Sequence, residues 1–357
     1  MKTKLLLTIS LTLFSLLANS AIWVANNNPG AATGTNVFTG STALQDALSN
    51  VALADGDIIY VVPSTTSYGI ITITKGITIF GIGIRPLKDI ANRSLLGLVN
   101  INASNVRLSG LILDNDLQLG LTLVSATTLT NITVENCRFP RVEMSSFNGV
   151  DVGSVLFRNN VITGTGTIAR NFILYTISAF TITNNIIFPA SNTGSLRITG
   201  ANISYNVFIG SGNTNINVDG TLINNLFDHN IFYGMNVDLN SVAGSTGNTW
   251  TDNLSFGATN MVFPVGLNGN TGSGNIEDSD PLFTNVPLTQ VWNDSYDFTL
   301  LGGSPALNVN GQDIGVSGGL TPFDAEGNLL PLIESVTIPA MIPVNTNLDV
   351  TIKAKGN

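Results

Sequence analysis

The chain has 357 residues, 43% hydrophobic and only 10% charged, with a formal net charge of −9. Low charge combined with many β-branched and aromatic residues excludes a disordered chain, and the acidic balance excludes nucleic acid as a partner, since phosphate contacts need clustered Lys and Arg. The single cysteine, Cys137, excludes an internal disulfide, and with the single histidine, His229, it excludes a zinc site of the usual Cys/His kind.

Residues 1–20 read as a signal peptide. Lys2 and Lys4 give a positive start, residues 5–17 are mostly apolar, and Ala18-Asn19-Ser20 places small residues at the cleavage positions. The apolar run is too short for a comfortable membrane span, and no later stretch is long enough to make one. The expectation is an exported protein (secreted, surface-bound or periplasmic) with no transmembrane segment after cleavage. Cleavage removes two lysines and no acid, so the mature chain is more acidic still. Next, Ser41 is placed to cap a helix over 42–50, with Leu44, Ala47, Leu48 and Val51 on one apolar face. Asp55-Gly56-Asp57 makes a turn. Ile58-Ile59-Tyr60-Val61-Val62 reads as a buried strand, followed by Ile71-Thr72-Ile73 and Ile77-Thr78-Ile79-Phe80.

A repeat then takes over. Ile132-Thr133-Val134-Glu135-Asn136-Cys137 aligns with Val155-Leu156-Phe157-Arg158-Asn159-Asn160 and Phe180-Thr181-Ile182-Thr183-Asn184-Asn185. It continues through Ala201-Asn202-Ile203-Ser204-Tyr205-Asn206, Asn225-Leu226-Phe227-Asp228-His229-Asn230 and Asn248-Thr249-Trp250-Thr251-Asp252-Asn253. An earlier, degenerate copy is Val106-Arg107-Leu108-Ser109-Gly110-Leu111. The last column advances in steps of 23, 25, 21, 24 and 23 residues, a period that fits one coil of a parallel β-helix with three short strands per turn. Leucine-rich repeats overlap this length, but their leucine pattern is missing. Alternation of apolar and polar residues marks a half-buried strand, and places Val134, Phe157, Ile182, Ile203, Phe227 and Trp250 in one core column. Apolar residues resume after the corner at Phe139, Ile162, Ile187, Phe208 and Phe232. Asn160, Asn185, Asn206, Asn230 and Asn253 are read as an internal hydrogen-bonded ladder, and as the residues that take the positive φ of the corner. Cys137 occupies a ladder position, so it is expected to be buried and inert.

Beyond the repeat, 266–275 is a Gly/Asn-rich loop. Short apolar segments follow, and from Pro331 the pattern changes to two short strands at 334–338 and 348–352. The organisation expected is a signal peptide (1–20), an all-β solenoid (21–320) and a C-terminal β extension or cap (321–357), with the early helix closing the other end.

The N-terminal run Leu44-Gln45-Asp46-Ala47-Leu48, Gly56-Asp57, Ile59-Tyr60-Val61 and Lys75-Gly76-Ile77-Thr78-Ile79-Phe80-Gly81 resembles the start of pectin-lyase-like right-handed parallel β-helix proteins. The segments Asp280-Pro281-Leu282-Phe283, Tyr296-Asp297-Phe298, Gly303-Ser304-Pro305-Ala306 and Asp313-Ile314-Gly315 resemble the closing part of secreted bacterial β-helix repeat proteins. With the Asn repeats, the resemblance covers about 22–320. It implies the fold, and leaves the activity open among lyases, hydrolases, esterases, adhesins and inert scaffolds. The Gly-x-x-Asp-Phe, Gly-His-Gly and Trp-x-Asp-His elements of its best-known enzymes are absent from this chain.

Several constellations can carry chemistry. Arg138, Arg141, Arg158 and Arg170 fall on two adjacent coils with Glu143, Asp151 and Tyr175; brought into one groove they would suit a lyase or hydrolase acting on an acidic glycan. Asp114 and Asp116 flank Asn115 and offer oxygens to calcium, the one ion these residues suggest, as does the acidic run Glu277-Asp278-Ser279-Asp280. Asp228, His229 and Asp252 are neighbours in adjacent coils, but sit where the coil wall makes a structural histidine the better reading. Tyr175, Tyr233, Trp292 and Tyr296 are the aromatics available for glycan stacking. The expected function is binding of a polysaccharide or a cell-envelope component without a recognisable catalytic motif. Two alternatives stand beside it: a divergent polysaccharide lyase or hydrolase, and a structural or adhesive surface module.

Overall fold

The computed structural model describes residues 20–84, 93–123, 127–144, 150–164, 172–173, 180–188, 196–216, 222–237, 245–289, 291–324, 332–337 and 351–355. The predicted signal peptide lies outside them, apart from Ser20. The protein is a parallel β-solenoid of about 7 turns, with one helix among the described residues. Each turn contributes short strands to three parallel sheets, of twelve, eight and seven strands. Among the described residues, no helix is long and apolar enough to cross a membrane.

The alternating strand pattern builds the first core column. In the twelve-stranded sheet, Trp23, Ile59, Ile79, Leu108, Val134, Phe157, Ile182, Ile203, Phe227 and Trp250 are successive partners in register. All of them are buried. Phe227 and Trp250 stack with ring centroids 4.0 Å apart. The next position is Gly272, where a Cβ would lie 1.9 Å from the Trp250 carbonyl oxygen, so only glycine lets the backbone close on the coil below. The second inward column, Phe139, Ile162, Ile187, Phe208 and Phe232, runs along the eight-stranded sheet.

The corner between these two sheets carries the asparagine column. Asn160, Asn185, Asn206, Asn230 and Asn253 each donate from Nδ2 to Oδ1 of the asparagine one coil on, at 2.9–3.0 Å, and the run ends at Asn275. Each Nδ2 also donates to a carbonyl of the coil before, such as Val134 for Asn160 and Phe157 for Asn185. Each Oδ1 accepts a backbone N–H from that preceding coil, beginning with Cys137 N. The left-handed residue, however, is the one before the ladder asparagine. Asn136, Asn159, Asn184, Tyr205, His229 and Asp252 have φ of 49–56°. The ladder position must turn inward to bond, so the preceding residue takes the corner's positive φ and points outward. Sequence reading missed a second ladder at another corner. Asn225 donates to Asn248, and Asn248 to Asn270, each at 3.0 Å; the spacing of these asparagines was its available signal.

The N-terminal end is covered by the helix Ala43–Ser49, which buries Ala43, Leu44 and Ala47. Its N-cap is Thr42 rather than Ser41, without a side-chain cap bond; the Thr42 hydroxyl donates instead to Asp46. The helix stops at Ser49, which leaves Val51 exposed and off the apolar face. At the other end of the chain, Leu332–Thr337 and Thr351–Lys355 pair antiparallel.

The eight-stranded sheet is apolar on both faces. Its outward residues Val161, Ile186, Val207, Ile231 and Leu254 are buried beneath Val286, Phe298, Ala306, Ile314 and Val316. The segment after the last coil therefore runs back along the flank of the solenoid as a strap. Arg93 meets Asp294 across 201 residues of sequence, and Asn184 donates to Gly318 across 134. Two-sided burial explains runs such as Val207-Phe208-Ile209, which lack alternation because neither face meets water.

The ladder yields a direct expectation. Asn185→Leu removes a carboxamide that makes five hydrogen bonds to buried or part-buried partners. Stability should fall by about 3–5 kcal/mol in denaturant unfolding; a loss below about 1 kcal/mol would show that the ladder is not a main support.

Candidate functional site

A groove of about 540 Å³ opens where the strap crosses the eight-stranded sheet. One wall comes from the coils, with Ile112, Leu113, Asp114, Arg138, Pro140 and Thr163; the other is Val291, Trp292, Asn293 and Asp294 of the strap. Arg138 opens the strand Arg138–Phe139, whose alternation turns Phe139 into the core and Arg138 outward. Trp292 is held by edge contact with Phe188 and by stacking on Phe298.

Asp294 organises the groove. Its Oδ1 accepts from Arg138 at 3.1 Å and from the Trp292 indole N–H at 2.8 Å, and its Oδ2 accepts from Arg93 at 2.9 Å. Burial alone would raise the Asp294 carboxyl, but hydrogen bonds from Arg93 and Trp292 and the charge of Arg138 hold it below the ordinary aspartate range. Burial draws Arg138 down from the ordinary arginine range; Asp294 opposes this most strongly, Arg93 adds to it, and Asp114 opposes it again. The groove thus carries one guanidinium, Arg138, and two carboxylates, Asp114 and Asp294, on apolar walls, and Arg93, outside the lining, pairs with Asp294 and offsets the second negative charge. The groove is close to neutral, with an indole edge, a hydroxyl and an amide among its lining groups. Such a surface suits an uncharged, hydroxyl-rich ligand better than a polyanion.

Of the four arginines expected to share one groove, the three described ones stand apart. Arg158, at the end of Val155–Arg158 in the twelve-stranded sheet, donates to Glu135 at 2.6 Å, as does Arg107 at 2.7 Å. Arg141, beside the seven-stranded sheet, pairs with Asp116 and with Glu143, the latter at 2.9 Å. Glu143 also accepts from Gln118. Among the described arginines, only Arg138 lines the groove. The reason is the coil itself: residues only a few positions apart in sequence fall on different sides of it. Asp151 lies in the strand Val150–Val152, which pairs with Thr127–Leu129. Arg170 and Tyr175 lie outside the described residues.

Two further expectations are corrected. Tyr233 is not available for stacking on a ligand. It is buried beneath the strap, donates to the Val286 carbonyl at 3.0 Å and packs against Phe256 and Phe283. Asp116, expected beside Asp114 as a calcium ligand, is instead paired with Arg141, while Asp114 lines the groove. Arg93 and Asp294 were missed in the sequence. Asp294 had a signal, its place beside Trp292; Arg93 had none, since its role depends on a strap 201 residues away. Cys137 is fully buried, and burial pushes its thiol up to about 12, so it is no nucleophile.

No family model matches the chain, and comparison with curated proteins gives no match.

Two carboxylates give a pH expectation. Asp294 and Glu135 are both held below their ordinary values of 3.8 and 4.5. A depressed carboxyl contributes stability above its ordinary value and loses it as pH falls through the folded one. The melting temperature should therefore drop on acidification below those ordinary values, and Asp294→Asn should lessen the drop. An acid dependence unchanged in Asp294→Asn would refute that assignment.

Proposed function

We propose that this protein is an exported, pectin-lyase-like β-helix that binds a neutral glycan in the groove between coil and strap. The observation that supports this reading is Trp292, part of an apolar wall directly beside Asp114, Arg138, Thr163 and Asn293. Sugar rings present an apolar face to an aromatic and hydroxyls to polar groups around it, and the groove offers both. The N-terminal segment supports export, and the repeat with its closing motifs supports kinship with secreted bacterial β-helix proteins. Lyase action on an acidic glycan draws less support, because Arg138, Arg141 and Arg158 are separated and each is paired with a carboxylate.

Binding is tested on a glycan array, followed by calorimetry with the best ligand. Trp292→Ala should weaken affinity at least about tenfold, the loss of roughly 1.4 kcal/mol, while Arg158→Gln, on another face, leaves it unchanged. Incubation with alginate, pectate, chondroitin and neutral glycans, read by absorbance of unsaturated ends and by reducing sugar, should release nothing. Release from any of them would install the enzyme reading in place of this one.

A further inference from the structure

Away from the groove, the outward column of the corner ends in a second cluster. His229 and Asp252 occupy the same position in successive coils, both with positive φ, at 52° and 51°. That conformation turns both side chains out of the wall, one above the other. Asp228 ends the strand Leu226–Asp228 beside them. One ligand atom from each of Asp228, His229 and Asp252 lies within 4.8 Å of the others.

The imidazole is held in a defined way. The Tyr205 ring stacks on it at 5.1 Å. Its Nε2 faces the carbonyl oxygen of Val309 in the strap at 3.4 Å, which assigns the proton to Nε2. In the neutral imidazole Nδ1 then carries a lone pair. It is buried and has no hydrogen-bond partner. The nearest carboxylate oxygen, Asp228 Oδ2, is 3.1 Å away but off the line of a hydrogen bond. A lone pair beside a carboxylate is repulsive unless a positive charge lies between them. Among the described residues, no lysine or arginine pairs with Asp228 or Asp252. Asp252 is fixed from behind, where Asn310 donates to its Oδ1 at 2.9 Å. Gly274 makes room for that oxygen, since a Cβ there would lie 1.9 Å from it.

We propose that Asp228, His229 and Asp252 bind one first-row divalent cation. An imidazole nitrogen with two carboxylates suits Zn²⁺ or Mn²⁺, whereas Ca²⁺ takes six to eight oxygens. Ligands about 2.0–2.1 Å from a tetrahedral ion stand about 3.3 Å apart, a spacing these side chains reach by small rotations. A metal-bound histidine commonly donates its other N–H to a backbone carbonyl, the role Val309 has here. The bound ion would neutralise the cluster and join two coils. Through Val309 and Asn310, it would also join both to the strap. Its role is to fasten the strap at a point distant in sequence from Asp294.

The test uses the full chain without a histidine tag, stripped with chelator and titrated calorimetrically with ZnCl₂, MnCl₂ and CaCl₂. One equivalent of Zn²⁺ or Mn²⁺ should bind and raise the melting temperature, with Ca²⁺ inactive. Asp252→Asn and His229→Gln should each weaken binding at least about thirtyfold and abolish the metal-dependent rise. If either variant fails to fold, the wild type still decides. His229 is the only histidine, so its single ¹⁵N side-chain signal pair reports Nδ1 directly and must shift on Zn²⁺ binding. Failure to bind Zn²⁺ or Mn²⁺ more tightly than about 1 mM, or binding that leaves the His229 signal unmoved, would overturn the proposal. The latter pattern, with Nδ1 protonated throughout, would mean that a shared proton neutralises the cluster instead.

Discussion

The fold depends on one hydrogen-bonding arrangement, a carboxamide inserted where the coil turns. At that corner the backbone leaves one sheet and enters the next, so N–H and C=O groups lose their strand partners inside the wall. Asparagine can accept twice and donate twice from one short side chain. Here it accepts the backbone N–H of the coil before, returns bonds to that coil's carbonyls, and accepts the amide of its own counterpart. Buried polar groups that would each cost about 1–3 kcal/mol unpaired are thereby satisfied. Cys137 begins the column because its backbone needs only an acceptor from Asn160, while its thiol donates to the Glu135 carbonyl.

With the corner settled, the rest follows by position in the coil. Residues facing inward make a continuous core of stacked aliphatic and aromatic rings. Residues just before the ladder face outward, which gathers Tyr205, His229 and Asp252 into a column on the outer side of the wall, where His229 and Asp252 are nonetheless buried. Residues just after it enter a sheet whose outer face is also apolar, and that face requires a cover. The strap supplies it. Burying Val286, Phe298, Ile314 and Val316 contributes about 1.5–3 kcal/mol for each side chain, and the charged contacts of Asp294 add direction to what is otherwise a non-specific adhesion. Both the groove and the histidine cluster lie on the seam between strap and coil.

Much of the solenoid was legible because its rule is local and repeated. The period of 21–25 residues and the alternation before each asparagine placed the core column from Val134 to Trp250, and register extends it back to Trp23. The second asparagine ladder was visible in the aligned repeats at Asn225 and Asn248, but too few copies carry it to stand out. The site was less legible. Arg138, Arg141 and Arg158 are close in sequence yet face different sheets, since a single coil turns through all three. Tyr233 reads as an outward aromatic from the pattern of its own strand, and only the strap buries it. Asp294 and Arg93 owe their meeting to a chain reversal that no periodicity encodes.

The strap also alters how the molecule holds together in time. A solenoid is ordinarily a row of near-neighbour contacts, free to fray from either end one rung at a time. Here a late stretch of chain touches the rungs of Arg93, Arg138, Asn184, His229 and Leu254 in turn. A rung cannot open alone without lifting a tether shared with the others. Contacts spanning up to 201 residues slow the search for the native state, and the same contacts convert piecemeal unzipping into a single concerted event. The outcome is a rod whose middle is guarded as well as its tips, slow to assemble and slow to come apart.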